Sequence, residues 1–106
     1  MNKDHILITS QVHKDIELDN PDVADENELL KAIVNRVTWM LEYDKDLLMS
    51  YLYRLDILAE DIDQALMPAN PLAAAEALGI LILDRQKERV ATKKKYKQNP
   101  IEGWEY

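Results

Sequence analysis

The chain has 106 residues, 20 Asp and Glu against 13 Lys and Arg, a formal charge of −7 and no cysteine. A length of this order sets the expectation at one core. The lack of cysteine removes disulfide frameworks, thiol nucleophiles and Cys-ligated zinc, iron–sulfur or haem sites, and two glycines with four prolines are too few for a collagen-like or low-complexity chain.

Residues 1–19 read as an N-terminal arm. Ile6, Ile8, Val12, Ile16 and Leu18 recur at even spacing, which suits a strand or small hairpin. No Gly or Asn-Gly turn supports a hairpin, and an extended arm docked on a partner or on the chain's own core fits the same residues equally well. Ile6, Leu7 and Ile8 are too short a run for the apolar region of a secretory signal.

Prolines divide the rest of the chain. Asn20-Pro21 and Asn70-Pro71 each precede helical spacing, and Asn is a good N-cap while Pro fits the first helical position. Met67-Pro68 and Asn99-Pro100 read as stops, because Pro cannot continue a helix. Between Pro21 and Met67 the apolar positions resolve three helices. Leu30, Ile33, Val34, Val37 and Leu41 share one face of the first, and Asp25 with Glu28 three residues on is a capping box that would start it later than Pro21. The second carries Leu47, Leu48, Tyr51, Leu52 and Leu55 and starts near Asp44 or Asp46. The third is short, with Leu58, Ile62, Ala65 and Leu66 inward and Glu60, Asp61 and Asp63 near its N-terminal end, where carboxylates suit the helix dipole.

The long helix expected over 71–97 changes character along its length. From Leu72 to Leu83 nearly every residue is apolar, broken by Glu76, and a helix apolar all round is normally buried all round. That stretch is well short of the roughly 20 residues that span a bilayer, so the chain is expected to be soluble and cytoplasmic. The expected fold is all-α: a small bundle of about four helices over 20–98, with a long, largely buried C-terminal helix. Residues 1–19 are extended or form a short β element, and 99–106 form a tail.

Signals for chemistry are weak. His5 and His13 lie eight residues apart, not at the i, i+4 spacing of a zinc-binding helix. Ser10 and Ser50 sit in no glycine-bounded elbow, and Gly79 and Gly103 form no phosphate loop. Asp44-x-Asp46 and Glu60-Asp61-x-Asp63 lack the mid-loop glycine and terminal glutamate of an EF-hand, and capping explains both. No catalytic residue, metal or cofactor is expected. Helices two and three superficially resemble a helix-turn-helix, but Glu60, Asp61 and Asp63 would meet phosphates where a recognition helix presents cations.

One feature stands out. Arg85 to Lys97 holds seven basic residues and one acid, a net +6, whereas residues 1–84 carry −11. The candidate partner-binding residues are therefore Arg85, Arg89, Lys93, Lys94, Lys95, Tyr96 and Lys97, joined by Trp104 and Tyr106 in the tail, since Trp and Tyr are frequent interface anchors. A body at −11 opposes approach to any polyanion within a Debye length, ~8–10 Å. The leading expectation is a non-catalytic interaction protein (an adaptor, inhibitor or regulatory subunit) that binds another protein or itself, and no membrane. The alternative is an accessory binder of RNA or single-stranded nucleic acid, with Tyr96 stacking on a base. Cations at a helix C-terminus also simply complement its dipole.

Overall fold

The computed structural model describes residues 3–69 and 73–98, with side chains over 4–69 and 73–92. Among them the chain is all-helical, in five elements: α1 Lys3–Ile16, α2 Glu26–Tyr43, α3 Lys45–Arg54, α4 Ala59–Leu66 and α5 Ala74–Gln98. The Asn70-Pro71 start and the Asn99–Tyr106 tail fall outside the described residues.

The N-terminal segment corrects the sequence expectation: it is neither extended nor β but the helix α1. Ile8, Val12 and Ile16, four apart, are its buried apolar residues, with Thr9 buried beside them, while Ile6 is 51% exposed. The even spacing merged a helical subset with a solvent-facing residue. Asp4 in the first turn and His13 and Lys14 in the last agree with the dipole. The helix ends at Glu17, whose N–H still donates to the His13 carbonyl at 2.8 Å and whose φ of 53° turns the chain out of the helix. Arg36 Nε donates to the Ile16 carbonyl at 2.6 Å, so α2 closes the end of α1.

Asn20-Pro21 does not begin a helix. The Asp22 N–H donates to Asn20 Oδ1 at 3.2 Å, a local turn of the kind Asn favours. Leu18 and Val23 are buried beneath this connection. α2 starts after Asp25, whose Oδ1 accepts the Glu28 N–H at 2.9 Å. The Glu28 carboxylate reaches back to the Ala24 N–H, a capping box displaced by one residue. Asp44 caps α3 in the same way through the Leu47 N–H at 3.2 Å.

α3 ends in a Schellman turn. The Ile57 N–H bonds Leu52 O and the Asp56 N–H bonds Tyr53 O, with Asp56 at φ 61° and both Leu52 and Ile57 buried. α4 then buries Ile62 and Ala65. Leu58, expected inward, is 61% exposed because it is the extended N-cap residue of α4. Leu47, also expected inward, is 40% exposed, and the buried line of α2 is Leu29, Ile33, Val37 and Met40. Leu30, Val34 and Leu41 are half-buried at its flank.

α5 is the shared element: α1, α2 and α4 all pack on it. Leu78, Ile82, Leu83 and Gln86 are buried along one side. A Cβ on Gly79 would sit 2.8 Å from Val34 Cγ2, so the absent side chain sets the close approach of α2. The first half of α5 is not buried all round as expected, because Glu76, Ile80 and Asp84 face solvent.

Candidate interaction surface at the basic end of the last helix

The geometry of the candidate site is set by how α5 leaves the core. Gln86, 1% exposed, donates through Nε2 to the Tyr51 hydroxyl at 3.0 Å and Asp15 Oδ2 at 3.3 Å. Gln11 Nε2 donates to the other Asp15 oxygen at 2.9 Å. This network joins α1, α3 and α5 with every carboxylate oxygen partnered. Burial pushes the Tyr51 hydroxyl well above the ordinary phenol range, the Gln86 hydrogen bond opposes that shift, and the Asp15 charge adds to it.

Two of the seven basic residues between Arg85 and Lys97 are engaged by the fold, the candidate Arg85 and Lys87, which was not a candidate. Arg85 donates through Nε to the Leu55 carbonyl at 2.6 Å, holds Glu88 at 3.0 Å and lies 3.9 Å from Asp56. Lys87 pairs with Glu26 at 2.6 Å. The hydrogen bond and charge of Glu26 raise the Lys87 ammonium above its ordinary value, though an exposed pair of this kind contributes little net stability. Arg89 is exposed, Val90 is half-buried against the core, and Ala91 and Thr92 are exposed. The helix backbone continues to Gln98, carrying Lys93, Lys94, Lys95, Tyr96 and Lys97, whose side chains lie outside the described residues, as do Trp104 and Tyr106.

Two clefts are lined by described residues. One of about 470 Å³ has Ile8, Leu29, Leu83 and Val90 among its lining, with Asp4, His5, Glu26 and Lys87. His5 Nε2 lies 3.3 Å from the Val23 carbonyl. The other, about 230 Å³, includes Ser10, His13 and Asp22. Nucleophilic catalysis uses those three residue types, yet among the described residues no hydrogen bond joins Ser10 to His13, and His13 Nδ1 is buried without a partner. No cluster of three or more His, Asp or Glu suited to a metal occurs among the described residues. No described helix is long and apolar enough to cross a membrane.

Sequence reasoning missed two features. Gln86 falls at i+4 and i+8 from Ile82 and Leu78, so a polar residue in phase with a buried row was the available signal. The other is an aromatic strip on α2. Trp39 is 43% and Tyr43 66% exposed, their rings 5.4 Å apart, and the Arg36 guanidinium lies 4.4 Å from the Trp39 ring centroid. Their i, i+3 and i+7 spacing was its signal.

No family model, no curated protein and no solved structure matches the chain.

Proposed function

We propose that the protein acts non-catalytically in the cytoplasm, as an adaptor, inhibitor or regulatory subunit that docks an acidic protein surface through the basic end of α5, with Trp104 and Tyr106 as further anchors. The observation that carries this reading is the division of α5. Its first half supplies the buried row Leu78, Ile82, Leu83 and Gln86, whereas Arg89 and the lysines 93, 94, 95 and 97 lie on helix beyond or beside that row. Arg85 and Lys87 brace the base of the segment. The −11 charge of residues 1–84 disfavours polyanions near the body, which ranks a protein partner above RNA or single-stranded DNA.

Affinity capture from nuclease-treated native lysate tests this, comparing the chain with its Lys93→Ala/Lys94→Ala/Lys95→Ala variant. Acidic proteins should be retained at low salt, released as salt rises, and lost from the variant. Equal capture by both chains, or retention of nucleic acid in untreated lysate with nothing left after nuclease, would overturn it.

A further inference from the structure

The solvent-facing stripe of α5 has a pattern that the folded chain engages at Lys87, through its exposed pair with Glu26. Glu76, Ile80, Asp84, Lys87 and Ala91 are all exposed. At 100° per residue they lie, with positions 94 and 95, within a band about 100° wide on one side of the helix. Acids occupy the N-terminal half of the band and lysines the C-terminal half, with Ile80, 36% exposed, between the acids. Placed antiparallel on a copy of itself, the band pairs position 76 with 95, 80 with 91 and 84 with 87. All three pairs are centred between residues 85 and 86. Positions 76 and 84, both acids, are then matched with positions 95 and 87, both lysines, and Ile80 with Ala91. A parallel arrangement would set acid on acid and lysine on lysine.

We infer that the acidic partner surface is supplied by a second copy of this chain, through an antiparallel, two-fold pairing of the exposed α5 stripes. This rests on the docking role of the basic segment and names its partner. A two-fold contact of this kind is closed, because the same patch serves both copies. Acidic bodies at −11 each repel, so the complementarity is that of positions 76 with 95 and 84 with 87, the second in exchange with the exposed Lys87–Glu26 pair. The stripe is narrow, which places the contact at the small end of specific interfaces, below roughly 1,200 Å². The dimer is therefore concentration-dependent and sensitive to salt.

Sedimentation of the full chain across concentration, at low and high salt, tests the pairing by charge reversal. The native chain should dimerise at low salt and dissociate at high salt. Glu76→Lys alone and Lys95→Glu alone should each be mostly monomeric, while Glu76→Lys/Lys95→Glu, with both partners reversed, should dimerise again. Circular dichroism checks that each variant folds. The cysteine-free background adds a second measurement. Ile80→Cys with Ala91→Cys should give disulfide-linked dimers under mild oxidation, whereas Ile80→Cys alone should not. A native chain that stays monomeric at its highest soluble concentration in low salt overturns the second-copy partner. Capture of acidic proteins by that monomer would leave the docking role standing. A dimer that ignores both single reversals, or is not restored by the double one, overturns the antiparallel pairing.

Discussion

At Gln86 a polar side chain takes a place in a buried apolar row, and it is tolerated because both of its acceptors come with it. Tyr51 and Asp15 lie 35 and 71 residues away in sequence. Buried polar groups are costly when half-satisfied, so the three residues act as one unit. Tyr51 also gives the protein a pH response. Its hydroxyl is held above the ordinary value of 10.0 chiefly by burial. A raised acid keeps its proton in the folded chain after the unfolded chain has lost it. The associated stability is thus complete below pH 10 and declines as pH rises beyond it. Tyr51→Phe should cost about 1–2 kcal/mol at neutral pH by removing a hydrogen-bond partner from Gln86, and should flatten the loss of stability at alkaline pH. Urea midpoints on both sides of pH 10 measure both effects; an unchanged alkaline slope would refute the assignment.

Between elements, α2 approaches α5 closely at Gly79. Gly79→Ala gains up to about 1 kcal/mol of helix propensity, but the new methyl would meet Val34 Cγ2 at 2.8 Å, and a β-branched side chain has little freedom to turn away. Overpacking of about 1–3 kcal/mol should win, lowering the denaturation midpoint, and Val34→Ala in the same chain should recover part of the loss. The elements themselves were partly legible in the sequence. Asp25 with Glu28, and Asp44, named the starts of α2 and α3 because capping is local chemistry. α1 was misread because Ile6 and Leu18 obscured the four-residue spacing of Ile8, Val12 and Ile16. Leu18 is in fact buried from the connection after the helix, a tertiary fact that no periodicity encodes. Asn20-Pro21 satisfied the rule for a helix start and formed a turn instead, since Asp25 offered the better cap. Of the candidate site, the charge segregation was visible in composition. That Arg85 would serve the Leu55 carbonyl, thirty residues away, was not.

For the whole molecule, the acidic total conceals a charge division between residues 1–84 at −11 and the cationic end of α5. If the lysines serve docking and not folding, Lys93→Ala/Lys94→Ala/Lys95→Ala should take the net charge from −7 to −10 yet change folding stability by less than about 0.5 kcal/mol, as exposed substitutions usually do. Alanine keeps the helix, being the best helix former. A large loss of stability in thermal or urea unfolding would place those residues in the fold instead.

The position of α5 in the chain has a consequence for how the protein is made. α1, α2 and α4 all rest on it, and it is the last of the five helices to leave the ribosome. Until residues 78–86 emerge, α1, α2 and α4 lack the helix on which all three rest, and the Asp15 carboxylate lacks Gln86. Contacts of α1 with α2 and of α2 with α3 can form before α5 emerges, whereas the packing of α1, α2 and α4 on α5 waits for it. The −11 charge of residues 1–84 opposes association of chains in that incomplete state.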